Sequence, residues 1–141
     1  RFDGIVLCAP IHIGRYPDPV IHFATDWKDA LNSVPNAFVS VSLAIASESE
    51  EEREHARAYP LGLEKKTGYR PQFVHHAAGA LKYLEYDFFK RMMLRHISAK
   101  EGGPVDTSRD HELTDWDALD RFVADFSDLV VRTEDAEPSA I

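Results

Sequence analysis

Residues 2–16 read FDGIVLCAPIHIGRY. Within them Gly4 to Ile11, GIVLCAPI, is an unbroken apolar run rich in β-branched residues, the pattern of a strand covered on both faces by helices. The run leads into Pro10, His12 and Gly14, residues that shape a tight backbone path. Ligands of an open parallel sheet gather outside the carboxyl ends of its strands. Ala9 to Tyr16 is therefore the first place to look for a site, with a plain turn into the next helix as the alternative.

Two further runs repeat the signal, AFVSVSLAIA at 37–46 and QFVHHAAGAL at 72–81. Between the first two strands, Asp18 and Pro19 supply an N-cap and a first-turn proline. Val20, Phe23, Trp27 and Leu31 then recur at helical spacing as far as Asn32 or Ser33. Between the second and third, Ser47 or Ser49 precedes Glu50, Glu51 and Glu52 at a helix start, and Lys65, Lys66 and Gly68 mark its end. Pro60 should kink this helix or end its first part. A helix with the stripe Phe89, Met92, Met93, His96 and Ile97 runs out near Glu101–Gly103. After the loop GGPVDTSRDHEL, Thr114 caps a last helix with Asp117 three positions on, and Trp116, Leu119, Phe122, Val123, Phe126, Leu129 and Val130 form its apolar face. From Thr133 the acidic tail TEDAEPSAI reads as disordered.

Strand and helix alternate throughout, which gives an α/β fold with parallel strands joined by right-handed crossovers in a doubly wound sheet. Three parallel strands alone would leave a long apolar edge exposed, so the sheet is expected to be incomplete in this stretch.

The 141 residues, 44% of them hydrophobic, suffice for one core. A net charge of −8 argues against a general nucleic-acid binder. One cysteine, Cys8, excludes internal disulfides and suits a reducing cytosol. No apolar run approaches a membrane span. The exception to the acidic balance is 82–100, where Lys82, Lys90, Arg91, Arg95 and Lys100 oppose only Glu85 and Asp87. This segment could meet an anionic membrane surface or an acidic substrate, or pack its Phe and Met residues on the core with solvated bases.

Three loops carry the candidate chemistry. The first, Ala9–Tyr16, offers His12, Arg15 and Tyr16. The second, Ser40–Ala44, places Ser42 where it could donate to a ligand oxygen, or where it is an ordinary strand residue. In the third, Ala77–Tyr83, the small Ala78, Gly79 and Ala80 would let backbone approach a flat ligand on which Tyr83 could stack, although small residues also occur where helix meets sheet. His75 and His76 are adjacent on a strand, so they point to opposite faces and cannot share a metal; no metal site is expected. No G-x-S-x-G serine elbow is present, so a hydrolase triad is not expected.

Taken in order, FDGIVLCAPIHIGRY, PNAFVSVSLA, AAGALKYLEYDFFKRMMLRHI and GGPVDTSRDHELTDWDALDRFVADF resemble the flavodoxin-like bacterial protoporphyrinogen oxidases, the menaquinone-dependent protoporphyrinogen IX dehydrogenases. The likeness extends to about Leu129. It implies an FMN-binding flavodoxin-like α/β/α sandwich over 1–132, of whose five parallel strands these are the third to fifth, in the order 2-1-3-4-5. Residues 133–141 lie outside that domain. The resemblance also implies a cytoplasmic enzyme of haem biosynthesis that oxidises a porphyrinogen-like small molecule and passes electrons to a quinone; the basic segment 82–100 could bring it to the inner face of the cell membrane, or be merely solvated. An oligomer is compatible with it.

Carried over position by position, Pro10, Ile11, His12, Ile13 and Gly14 border the flavin ring. Ser40, Ser42, Leu43 and Ala44 lie at the second strand end, and Gly79, Ala80, Leu81 and Tyr83 at the third. Residues 84–113 match an insertion that simple flavodoxins lack. The resemblance names no catalytic side chain. It places the FMN phosphate loop after a first strand that is not in this stretch, implying about 45 to 55 residues upstream of Arg1. A flavodoxin-type electron carrier without a dedicated small substrate is the alternative function.

Overall fold

The computed structural model describes residues 2–81, 88–100 and 108–136, together with Gly103 and Asp106. Three parallel strands, β1 (Ile5–Pro10), β2 (Asn36–Val41) and β3 (Phe73–Ala77), pair in that order, with Leu7 opposite Phe38 and Phe38 opposite Val74. This is the parallel, helix-covered sheet expected of the α/β class.

β2 is the centre, and Asn36 through Ser40 are all buried. On one face, Ala9 of β1 and Phe38 of β2 pack with Tyr16, Ala24, Leu31, Leu63 and Tyr69. Aromatic edges organise this core: Tyr16 meets Phe38 with ring centroids 5.3 Å apart, and Phe38 meets Tyr69 at 6.3 Å. On the other face lies the last helix, α5 (Trp116–Ala136), whose Phe122 ring sits 5.1 Å from His75 and whose Phe126 and Val130 press on Gly4. His76 faces the opposite way, towards Arg57, as strand alternation requires.

β1 departs from the expectation of a strand covered on both faces. Ile5, Leu7 and Ala9 are turned inwards, while Val6, Cys8 and Pro10 are exposed. α5 packs against the chain at Gly4 on this side, and among the described residues nothing pairs with the outer edge of β1.

The crossover after β1 is not one helix but two, α1 (Asp18–Asp26) and α2 (Lys28–Asn32), broken at Trp27. Pro17 occupies the N-cap position without a side-chain bond, and the helix begins at Asp18. Ala24 and Leu31 are buried, whereas the exposed Phe23 and Trp27 rings meet at a tilt with centroids 6.4 Å apart.

β2 ends at Val41, and a 3-10 turn at Leu43–Ala46 leads to α3 (Glu50–Thr67). The Ser49 hydroxyl accepts from the Glu52 amide at 3.4 Å, and Gly68 ends the helix in the left-handed region at φ 79°. Pro60 lies inside α3 without ending it. Because proline lacks an N–H, the Ala56 carbonyl loses its usual helical donor there.

The third apolar run also splits. The chain leaves the sheet after Ala77, and Ala80–Leu81 (β4) pairs antiparallel with His111–Glu112 (β5). α4 spans Phe88–Lys100. The cap of α5 is Asp115, whose carboxylate accepts from the Ala118 amide at 2.9 Å. Thr114 instead accepts from the Gly79 amide at 3.0 Å, tying β3's exit to the entry of α5. α5 continues four residues past Arg132, with Thr133 donating to the Leu129 carbonyl at 2.9 Å.

Candidate functional site

The loop after β1 folds back on itself. His12 and Arg15 exchange backbone hydrogen bonds at 2.9 and 3.2 Å around Ile13 and Gly14, both in the left-handed region at φ 49° and 71°. Positive φ at both central positions is the geometry of a type I′ turn, for which Asn-Gly is the usual pair. Gly14 suits it. Ile13 does not, because a β-branched residue is strained there, and its side chain stands fully exposed at the tip.

Behind the tip, Tyr16 fastens the loop to the sheet. Its hydroxyl lies 2.7 Å from Ser40 Oγ in the buried core, and burial pushes the phenol up to about 12 against the opposing effect of the Ser40 bond. Ser40 is thereby used beneath the site, not at its surface.

The second loop follows β2. The Ser42 amide donates to the Ala77 carbonyl at 2.9 Å, and the 3-10 turn closes with Ile45 donating to Ser42 at 3.2 Å. As first-turn residues, Leu43 and Ala44 have amides with no acceptor within the turn. Arg53 and Ser47 clamp the start of α3: Ser47 Oγ donates to Glu52 at 2.6 Å, and the Arg53 guanidinium donates to the Ser47 carbonyl and to Glu50.

These two loops open onto one groove of about 760 Å3. Ile11, His12, Ile13 and Gly14 line one side and Ser42, Leu43 and Ala44 another, so seven of the thirteen residues singled out in the sequence meet here. The remaining walls come from α3 and α4, through Glu52, His55, Ala56, Tyr59, Leu94 and Ile97. His55 and Tyr59 stack with centroids 5.3 Å apart. These α3 residues were legible only as an i, i+4 pair in a charged helix, and nothing local ties that pair to a ligand. Of the stripe expected on α4, Ile97 reaches the groove with Leu94, while Met92 and His96 face solvent.

The other candidates lie elsewhere. Pro10 is exposed at the strand end and does not line the groove. Gly79, at φ 79°, makes the turn that lets β4 meet β5: its carbonyl accepts from Leu113 at 3.0 Å, and a Cβ there would stand 3.0 Å from Val41. Ala80 and Leu81 are held in that pairing. Tyr83 lies outside the described residues. Arg15 pairs with Asp18 and turns away from the groove into a neighbouring cleft.

Residues 1–108 match the family described as Flavodoxin domain. The chain belongs to the flavodoxin domain family. A protoporphyrinogen IX dehydrogenase [quinone] of Leishmania major is 30% identical over 128 residues, covering 91% of this chain and 55% of the relative. The protein of the same name from Escherichia coli K12 is 30% identical over 129 residues, covering 92% and 71%. The chain thus spans between about half and three-quarters of the length of these relatives. No solved structure matches it. The names bear out the resemblance carried by the sequence motifs.

A flavodoxin domain implies a flavin, and the groove suits the flavin's ring. Isoalloxazine is flat, apolar across its faces and polar along one edge. Ile11, Leu43, Ala44 and Tyr59 offer apolar walls, while Ser42, His12 and the backbone amides of Leu43 and Ala44 offer polar partners. The phosphate is another matter. A phosphate prefers a helix N-terminus rich in free amides. Here α1 opens with Pro17, Asp18 and Pro19, α3 with Glu50, Glu51 and Glu52, and α5 with Asp115 and Asp117. Carboxylates and missing N–H groups make all three poor phosphate sites. No helix among the described residues is long and apolar enough to cross a membrane.

Proposed function

We propose that this chain forms the ring-binding part of an FMN-dependent oxidoreductase that takes electrons from a porphyrinogen and delivers them to a quinone. The groove between the Ile11–Gly14 turn and the Ser42–Ala44 loop carries this reading, because it lies where a parallel sheet presents ligands, in a flavodoxin domain. The porphyrinogen and quinone come from the names of the two relatives.

A bound flavin supplies the oxidation and reduction. The protein's part is placement. Ile13 of the type I′ turn and the amides of Leu43 and Ala44 would hold the ring in the groove. The His55–Tyr59 stack and the Leu94–Ile97 face of α4 shield the groove from water. The starts of α1, α3 and α5 disfavour the FMN phosphate, which would be held elsewhere in the polypeptide. On α4, exposed Met92, Arg95, His96 and Lys100 suit contact with an anionic membrane surface, from which a quinone is reached. Sedimentation with vesicles of anionic lipid should carry the protein down, and Arg95→Glu should release it; equal sedimentation of both would remove α4 from that contact.

The function is tested by reconstituting the full-length protein with FMN and supplying protoporphyrinogen IX with a menadione-type acceptor. Formation of the fluorescent porphyrin at a rate that rises with acceptor concentration is expected. A flavin-loaded protein that is reduced by dithionite but not by the porphyrinogen would contradict it.

A further inference from the structure

On the far side of the His55–Tyr59 stack lies a second, smaller cleft of about 260 Å3, which shares Gly14, His55 and Tyr59 with the groove. Its walls are Arg15, Tyr16 and Ile21 and one stripe of α3 that includes Gly62 and Lys66. The chain carries a net charge of −8, yet no carboxylate lines this cleft. Its charged groups are the cations Arg15 and Lys66, and His55 and the Tyr59 hydroxyl add further hydrogen-bonding groups. Arg15 pairs with Asp18, but both side chains are exposed, so the pair is weak, and a guanidinium has more donors than one carboxylate uses. Lys66 has no acidic partner among the described residues.

Gly62 adds an independent observation. Glycine is disfavoured inside a helix, and where one occurs a close neighbour usually explains it. A Cβ at Gly62 would meet nothing within 4 Å. No packing demand accounts for the missing side chain; its effect is to leave the floor of the cleft open.

We infer that this cleft anchors a carboxylate side chain of the substrate while the macrocycle to be oxidised lies over the flavin that the adjoining groove holds. The inference rests on the porphyrinogen reading, since a porphyrinogen is an apolar macrocycle with acidic chains at its rim. The basic cleft meets the groove at Gly14, His55 and Tyr59, so an acidic chain held in the cleft leaves the macrocycle beside the flavin. Lys66 and Arg15 would fix which edge of the macrocycle faces the flavin, so they are positioning groups, not reacting ones.

The test uses FMN-loaded full-length protein and steady-state turnover of protoporphyrinogen IX. Lys66→Glu should raise KM about tenfold with kcat little changed, the sign of lost uniform binding. Gly62→Leu keeps every charge, favours the helix and fills the cleft, and should raise KM likewise. Lys65→Glu makes the same charge change on the same exposed helix end outside the cleft, and should move KM less than about twofold. Wild type should bind protoporphyrin IX more tightly than its dimethyl ester, and Lys66→Glu should abolish the difference. If wild type turns over but Lys66→Glu and Gly62→Leu keep its KM, the cleft inference alone falls. Loss of FMN affinity in these variants with substrate KM unchanged would assign the cleft to the cofactor and overturn it too. A flavin-loaded wild type that neither oxidises the porphyrinogen nor distinguishes acid from ester would sink both readings.

Discussion

Tyr16 and Ser40 illustrate how the site is held from beneath. The 2.7 Å bond between their hydroxyls spans 24 residues of sequence and is buried. Tyr16→Phe leaves Ser40 Oγ without a partner and should cost about 1–3 kcal/mol in urea unfolding. No local pattern could have shown this, because strand alternation says which way Ser40 points but not what meets it. Ile13 is the converse case. Its φ of 49° is strained for a β-branched side chain that buries nothing. Ile13→Asn should stabilise the fold by about 1 kcal/mol and weaken FMN binding by removing an apolar contact to the ring. Equilibrium unfolding and flavin fluorescence quenching measure the two effects. A variant both more stable and equally tight for FMN would leave the strain at Ile13 without a role in binding.

Among the elements, the strands were the most legible, because long apolar runs announce themselves. Their ends and the helix caps were not. Thr114 and Asp115 are both good caps, and the choice fell to Asp115 because the Gly79 amide, far off in sequence, occupies Thr114. Likewise Val20 to Leu31 has the spacing of one helix, yet the chain breaks at Trp27 to bring both Ala24 and Leu31 into the core. Packing of α5 on the sheet requires a bare backbone at Gly4, where a Cβ would stand 2.5 Å from Val130 Cγ2. Gly4→Ala should therefore cost about 1–3 kcal/mol, read as a lower denaturation midpoint. β3 also carries a pH dependence. Burial lowers the pKa of both histidines, opposed at His75 by Asp115 and reinforced at His76 by Arg57. The unfolded chain then takes up protons first, so stability is fully present above about pH 6.5 and falls as the pH drops below it. Replacing both histidines with Asn should flatten that slope between about pH 7 and pH 5, measured against wild type in the same buffers.

Taken whole, the molecule sets an open-sided sheet beside a groove and a smaller adjoining cleft. β1 exposes Val6 and Cys8 on the face opposite the aromatic core, and among the described residues its outer edge has no partner. An apolar strand edge of this kind is ordinarily covered, and the relatives are longer than this chain. The sequence motifs identified the family, and two of the three loops they singled out line one groove. They could not place α3 and α4 around the groove, because His55, Tyr59, Leu94 and Ile97 converge only through the crossover and the excursion after β4. That convergence is the basis for seating the ring between residues 11–14 and 42–44. Amide hydrogen exchange of the full-length protein with and without FMN tests it directly. Slower exchange is expected in peptides covering 10–16 and 42–46 when FMN is bound. Unchanged exchange in both, with protection confined to other segments, would contradict it.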